Sequence, residues 1–572
     1  MIRKNIYIKM VGMAFASLTI LGCADEWDDH YEGSAEGVTQ GNLWEAISSN
    51  ADLSNFKRVL EATGYNVPLA GSQQFTVFAP TNTELTDAKV EEILKQYQED
   101  KVAGVKDKEN RAIKRFVKNH IALYNYSVAK SGSETVTLMN GKTVQLTPEN
   151  IGTSKLLSSN TLTGNGLLFQ IDKQMDYAFN LFEYMAANEL IDSVGNFLNH
   201  FTTDEFYPAL SVAGGIEDGK VWYLDSVTYL RNELFSYTQI NRQAGLGLIQ
   251  SEDSFYRMVI PTNDEWNRMV AEYTPYFKYD DGVLRHDSMQ WAETRMNILR
   301  GTAFSATRNA KKVDNEWKWN EDSVLSYNSF EYTYRILWGD YGMKYYQYSN
   351  PANLWKGISS FNCSNGEAII SDNWKIDKRQ TFMRDNIIEG ENTNRLDSVD
   401  KSTTLDADYK IVAATSPYYG KISQNRVVII RPSGTSASKA WFNVPELLSN
   451  VGYDISVVMA PIRSADTTAV DTLPSKFRAN ISFHHLDGKL SKEYYLPDST
   501  VKASQRVDFE SKPWEVDTIL LVSDFKLPTC SYGLDDPQVH ISLESHVTSS
   551  ERRNKTKTAT MCIDCFLVKP HE

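Results

Sequence analysis

The residues able to do chemistry in this chain are few, and their spacing withholds most of it. Cys562 and Cys565 form a Cys-x-x-Cys, the spacing of a redox pair or of half a zinc site. They lie in Met561 to Val568, whose composition predicts a strand, and residues three apart on an alternating strand face opposite sides. The pair is therefore expected neither to bridge nor to share a zinc ion. A four-cysteine site would also need Cys363 and Cys530, which fall in different candidate domains. Structural thiols, or one disulfide from the pair to Cys530, are the expectation outside the cytoplasm. His484 and His485 sit together in another apolar strand, so their rings should point to opposite faces. Gly434-Thr435-Ser436-Ala437-Ser438 misses the last glycine of a nucleophile elbow; the chain has no Gly-rich phosphate loop and no His-Glu-x-x-His helix. His120 has no second group for acid–base work and reads as a satisfied buried histidine. No catalytic residue, no metal and no cofactor is expected, and the chain is not read as an enzyme.

Aromatic rings supply the remaining chemistry. Eight of the twelve tryptophans fall between Trp222 and Trp374, and Tyr327 to Tyr348 holds seven tyrosines. Flat rings bury sugar C–H surfaces while Tyr and Trp polar tips bond hydroxyls. On that reading Trp317, Trp319, Trp338 and Trp355 are the expected ligand contacts. The other reading is an enlarged aromatic core, since ring count says nothing about exposure.

The N-terminus carries Arg3, Lys4 and Lys9 before an apolar run from Val11 to Leu21, too short to span a bilayer comfortably. Ile20-Leu21-Gly22-Cys23 matches a lipobox. This implies a signal peptide over 1–22 and a lipid anchor at Cys23, followed by an acidic tether over 23–40. The acid run from Asp25 to Glu32 resembles the surface-export signal of Bacteroidota lipoproteins. It implies an outer-membrane protein facing the cell exterior. Without the signal, 59 Lys+Arg become 56 against 73 Asp+Glu, a net of −17. That balance, with no basic patch, argues against nucleic acid as a partner.

What must position these residues is a repeated unit. Phe75 to Ala79 alternates as a buried strand and stops at Pro80-Thr81-Asn82; Tyr256 to Ile260 does the same before Pro261-Thr262-Asn263. Asn42-Leu43-Trp44-Glu45 returns as Asn180-Leu181-Phe182-Glu183, and the Asn165-Gly166 run returns at Asn365-Gly366. Three landmarks in one order, twice, predict a tandem duplication. The Phe-Thr-Val-Phe-Ala-Pro-Thr-Asn and Asn-Gly-Leu-Leu-Phe-Gln-Ile-Asp runs resemble the two signature segments of the fasciclin domain. His120 stands where that family has a Tyr-His pair, with Asn119 in place of the Tyr.

The expected architecture is multidomain, α+β then all-β. A fasciclin-like domain spans 41–176 and a degenerate copy with insertions spans 177–388; a polar boundary then leads to a β-sandwich over 403–572. Within the first domain, Lys89 to Gln98 and Asn110 to His120 read as helices. Asn140-Gly141 predicts a hairpin with a type I′ turn. The resemblance implies adhesion. The expected role is binding, as an adhesion module or an accessory subunit of a TonB-dependent, starch-utilisation-like importer, with a glycan or protein ligand. A purely structural outer-membrane subunit and a glycan hydrolase in the C-terminal domain are the alternatives.

Overall fold

Each copy begins with a helix that its own first residue caps. Asn42 accepts from Glu45 N–H (2.9 Å) while the Glu45 carboxylate accepts from Asn42 N–H, opening helix α1 (Leu43–Ser49). In the computed structural model this helix lies in a sheet-and-helix domain built on β1 (Phe75–Pro80). The model describes residues 41–126, 132–157, 161–208, 211–217, 219–225, 228–232, 234–235, 246–314, 316–326, 347–406, 409–469, 472–485, 489–498, 500–534 and 539–571. Cys23, the signal, the tether and Trp338 lie outside them.

Strand β1 is buried along its whole length. It pairs antiparallel with β2 (Ile121–Leu123) and parallel with β3 (Gly166–Ile171). Period two sends Phe75, Val77 and Ala79 into one apolar cluster with Leu43, Phe56 and Leu60, and Phe78 into another with Val136 and Phe169. The helix expected over Lys89 to Gln98 is there, running Asp87–Val102. Asn110 to His120 forms a π-helical turn over Ile113–Val117 and a 3₁₀ turn over Lys118–His120. The Asn140-Gly141 hairpin forms, pairing Glu134–Thr137 with Thr143–Leu146, but not through a type I′ turn. Leu138 N–H bonds to Lys142 O (2.8 Å), and only Gly141 of the connection has a positive φ (84°). Asn140 stays out of that region while its side chain donates to Lys114 O and Asn119 Oδ1.

The second copy repeats the plan. Helix α2 (Leu181–Ala187) has the same capping box, from Asn180 and Glu183. Strand β4 (Tyr256–Pro261) pairs antiparallel with β5 (Ala303–Ser305) and parallel with β6 (Gly366–Ser371), in the register of the first copy. Phe75 faces Gly166 as Tyr256 faces Gly366. Parts of its insertions fold as small hairpins, among them Val212–Glu217 with Lys220–Asp225 and Ala310–Val313 with Glu316–Trp319. The chain divides into two compact units. One runs to Ala178 and takes in Phe206–Thr228; the other holds Phe179–Glu205 and everything from Tyr229 onward.

Two facing sheets make the C-terminal region. The first contains β7 (Asn386–Glu389), the second β8 (Leu396–Val399), so the sandwich starts well before residue 403. The polar stretch read as a boundary supplies β8, and β7 comes from the end of the span expected for the second copy, because pairing with an apolar neighbour holds a short segment that its own composition does not mark. The longer strands that follow are β9 (Arg426–Pro432), β10 (Lys439–Asn443), β11 (Gly452–Met459), β12 (Lys476–His484), β13 (Leu490–Tyr495), β14 (Asp517–Lys526), β15 (Val539–Ser545) and β16 (Met561–His571). One sheet runs β9-β16-β11-β14, with β7 also on β16; the other runs β8-β10-β15-β12-β13. Phe442 and Phe566 meet between them at 4.8 Å.

Strand β16 corrects the cysteine argument. Val458 pairs with Cys565 and Met459 with Ile563, which leaves Asp564 as an extra, bulged residue. Ile563 and Phe566, three apart, both enter the main core, so the bulge resets the alternation and puts Cys562 and Cys565 on the same face. Cys530, Cys562 and Cys565 are buried free thiols, and Cys363 is buried as well. Among the described residues, no helix is long and apolar enough to cross a membrane.

Candidate binding face

His120 is fully buried, and both ring nitrogens are used. Nδ1 lies 2.7 Å from Phe116 O, and Nε2 accepts from Met175 N–H (2.9 Å). This fixes a neutral ring with the proton on Nδ1; burial pushes its pKa down to about 4. Asn119 donates to Met175 O and Asp176 O. The two side chains tie the end of the first domain to its core, so their role there is structural.

The three described tryptophans singled out from the sequence do not form one flat platform. Trp319 and Trp355 meet edge-on (6.1 Å) and pack, half-buried, on a satellite core of Val259, Phe304 and Val324. The Arg257 guanidinium sits 4.6 Å from the Trp319 ring centre and 5.0 Å from that of Trp355, held by Glu367 at 2.7 Å. Trp317, two residues before Trp319 on the same strand, has its ring beside Phe255 (5.9 Å).

A better-formed aromatic face lies on the β8-β10-β15-β12-β13 sheet. Its strands alternate, and the inward set (Phe442, Ile541, Leu543, Phe477, Ile481) fills the core. The other set faces away from it. Trp441 is opposite Ser542, Ser542 opposite Asn480, and Asn480 opposite Tyr495, a single row across four strands. The next row is Asn443, His540, Ser482 and Glu493. Small polar residues make the floor, with Asn480 1% and Ser542 2% exposed, while half-buried Trp441 and Tyr495 stand at the sides. Neither ring belongs to a hydrophobic cluster, unlike Trp319 and Trp355.

Hydrogen bonds hold this trough in shape. Arg506 donates to Glu544 (2.9 Å) and to Asn480 Oδ1 (2.9 Å), and its guanidinium lies 5.2 Å from the Tyr495 ring centre. Asn480 donates to Glu493 (2.8 Å), which also accepts from the Tyr495 hydroxyl (3.2 Å). His540 packs edge-on against His484 (4.5 Å), and its buried Nδ1 has no hydrogen-bond partner. Burial and then the neighbouring His484 lower its pKa, keeping it neutral near pH 7. His485 turns away toward Asp280 (3.8 Å). Such a trough offers ring faces for apolar surface and a fixed set of donors and acceptors for hydroxyls. The signal in the sequence was strict polar alternation along Lys476 to His484 and Val539 to Ser545, which any solvent-facing sheet also shows.

Elsewhere in the sandwich, Glu389, Glu391 and Asp564 are buried together. Burial, followed by repulsion from Glu389, pushes Asp564 up to about 7. Burial, then Glu389 and Asp564, pushes Glu391 up to about 8.

The comparisons with known proteins bear on the first domain. No curated protein matches the chain. Among solved structures, the FAS1 domain pair of the insect cell adhesion molecule Fasciclin I aligns over 58% of this chain and 99% of its own, at 11% identity and a TM-score of 0.19. The CBM22-1 xylan-binding domain from Paenibacillus barcinonensis Xyn10C aligns over 32% and 92%, at 10% identity and 0.21. The family 11 carbohydrate-binding module from Clostridium thermocellum, complexed with a β-1,3-1,4-mixed-linked tetrasaccharide, aligns over 32% and 95%, at 10% identity and 0.18. Scores this low carry no conclusion about ligand or fold. The family model for the fasciclin domain matches residues 51–176, which hold the buried strand Phe75–Pro80 and the Asn-Gly strand Gly166–Ile171: this chain contains a fasciclin domain.

Proposed function

We propose that this protein is a lipid-anchored surface protein of the outer membrane that acts by binding rather than turnover. Its ligand is a glycan laid across the outer face of the β8-β10-β15-β12-β13 sheet. The observation that carries the ligand is the row with Trp441 and Tyr495 at its ends and Ser542 and Asn480 as its floor. Stacked sugar faces would meet the rings, and hydroxyls would meet half-buried Glu493 and His540, while Asn480 and Ser542 form the closed floor beneath. Glu493 and Glu544 are already bonded to Asn480, Tyr495 and Arg506, which supports holding a ligand over hydrolysing one. The lipobox at Ile20–Cys23 and the acid run after it support the anchor and the outward face.

The fasciclin domain supports an adhesive or docking role, either as a free adhesion module or as an accessory subunit of a TonB-dependent importer. Native purification of the lipidated protein separates these: a stoichiometric barrel partner favours the importer. Glycan-array binding followed by calorimetry on the mature chain tests the ligand. Trp441→Ala and Tyr495→Ala should each weaken binding at least ~10-fold without lowering the melting temperature. Binding that survives both changes ends the trough reading. Binding lost instead in a combined Trp317→Ala, Trp319→Ala, Trp355→Ala variant moves the site to the second copy.

A further inference from the structure

One flank of the trough carries a cation that its neighbours leave unmatched. The outward residues there form the row Lys439, Glu544 and Arg478 across β10, β15 and β12. Glu544 accepts from Arg506 (2.9 Å). Asp508 takes Arg478 (2.8 Å) and Lys476 (3.3 Å), with the His546 ring nitrogen 2.9 Å away, and Lys476 also meets Glu551 (2.7 Å). Arg506, Arg478 and Lys476 thus answer to Glu544, Asp508 and Glu551. Lys439 stands opposite Glu544, yet no carboxylate among the described residues pairs with it. Its ammonium lies 4.8 Å from the centre of the Trp441 ring instead.

The backbone beneath this lysine is pinned. Lys439 N–H donates to Thr403 Oγ1 (2.8 Å), and its carbonyl accepts from Asp400 N–H (2.9 Å). In a chain of 59 Lys+Arg against 73 Asp+Glu, an unmatched lysine beside matched ones does not come from a general excess of base. The opposite flank has the other sign. Glu493 lies there, in the row with Asn443, His540 and Ser482, and its hydrogen bonds come from the neutral groups of Asn480 and Tyr495. Across its width the trough therefore runs from an ammonium beside Trp441 to a carboxylate beside Tyr495.

We infer that the glycan held in the trough is acidic, and that the sugar over Trp441 presents a carboxylate or sulfate group to Lys439. The inference rests on the trough as the ligand site and adds the charge of the ligand and its direction. A sugar ring stacked on an indole keeps its substituents at the rim, within the swing of a flexible four-carbon side chain. Lysine is a point charge and pairs with either anion, exchanging a contact with the ring for a charge-assisted hydrogen bond. Glu493 repels the same group at the Tyr495 end, so the acidic substituent points to one flank alone.

The test is calorimetry on the mature full-length chain with oligosaccharides of glucuronoxylan, hyaluronan and chondroitin sulfate. Each is compared with its carboxyl-reduced form, and chondroitin sulfate also with its desulfated form. At least one acidic form should bind ~5-fold or more tightly than its neutralised counterpart, and NaCl at about 0.5 M should close the gap. A gap lost on carboxyl reduction identifies a uronate; one lost on desulfation identifies a sulfate ester. Lys439→Gln should bring the acidic form down to the affinity of its neutralised counterpart, and Lys439→Arg should keep most of the gap. Equal binding of both forms, tighter binding of the neutral one, or a gap that persists in Lys439→Gln would overturn the acidic ligand and leave the trough standing. A chain that binds none of these probes but binds neutral glycans of the array loses this inference alone. One that binds no glycan loses the trough as well.

Discussion

In the first copy Asn165 accepts from Leu43 N–H (2.7 Å) and donates to Leu69 O and Gly71 O; in the second Asn365 accepts from Leu181 N–H (2.9 Å) and donates to Ile249 O and Ser251 O. Asn82 and Asn263 match in the same way. Each accepts a backbone N–H of its own first helical region (Asn55, Ser193) and donates to a carbonyl there (Ala51, Glu189). The copies part company just before β2 and β5. Counting back from the paired residues Ile121 and Ala303, His120 answers to Thr302, whose hydroxyl merely returns to Leu299 O (2.7 Å). Lys118 answers to Arg300, fully buried against the Tyr532 hydroxyl and 3.5 Å from Glu293. The residues that repeat are those satisfying backbone groups no helix or strand can reach. Those that differ answer to neighbours. In the second copy the neighbour is the sandwich, since Tyr279 donates to Tyr532 O (2.8 Å) and Cys530 N–H to Lys278 O (2.6 Å).

The hardest blow to this parallel would be an alanine at the paired glycines. A Cβ at Gly166 would stand 2.0 Å from Phe75 O, and one at Gly366 would stand 2.0 Å from Tyr256 O, with φ at 152° and 158°. Gly166→Ala and Gly366→Ala should each cost roughly 4 kcal/mol or more, seen as loss of one unfolding transition in a urea titration. If either is tolerated, the two strand entries are not equivalent. Next, Arg300→Ala should destabilise the second unit by about 3 kcal/mol by leaving Glu293 and the Tyr532 hydroxyl without it. Lys118→Ala should change the first unit far less, and an equal loss would erase the contrast.

Acid should separate the copies too. His120 is held to about 4, below its unfolded value near 6.5, so the unfolded chain binds the extra proton between those limits. Its contribution is intact above pH 6.5 and is lost as pH falls toward 4, by about 3 kcal/mol in all. His120→Thr, which installs the other copy's residue, should flatten that slope in pH-dependent hydrogen exchange of the first domain. An unchanged slope would mean that another group carries it. Smallest is the asparagine pair: Asn165→Ala and Asn365→Ala should each cost about 2 kcal/mol by chemical unfolding. Losses differing by much more than half of that would show that the shared skeleton supports the two copies unequally.

The duplication was legible because its landmarks, Pro-Thr-Asn after an alternating run and Asn-Gly before another, answer to local backbone demands. The type I′ turn was not, because Asn140 is recruited by Lys114 and Asn119 from elsewhere in the domain. The sandwich strands at 386–389 and 396–399 are hidden in the sequence, one at the end of the second copy's expected span and one in the polar boundary, because they borrow their stability from β16 and β10. The candidate site was the least visible part. Trp441, Asn480, Tyr495 and Ser542 come from four strands, and nothing in their local sequence distinguishes a trough from an ordinary wet face.

By itself the sequence determined the repeated unit and the strand periodicity, both properties of residues near one another along the chain. Tertiary structure alone decided which rings pack and which face outward, and which carboxylates share a pocket. One bulged residue, Asp564, inverts the facing of everything on one side of it, and sheet register rather than composition brings Glu389 to meet it. Register depends on partners hundreds of residues away, and no local pattern encodes those.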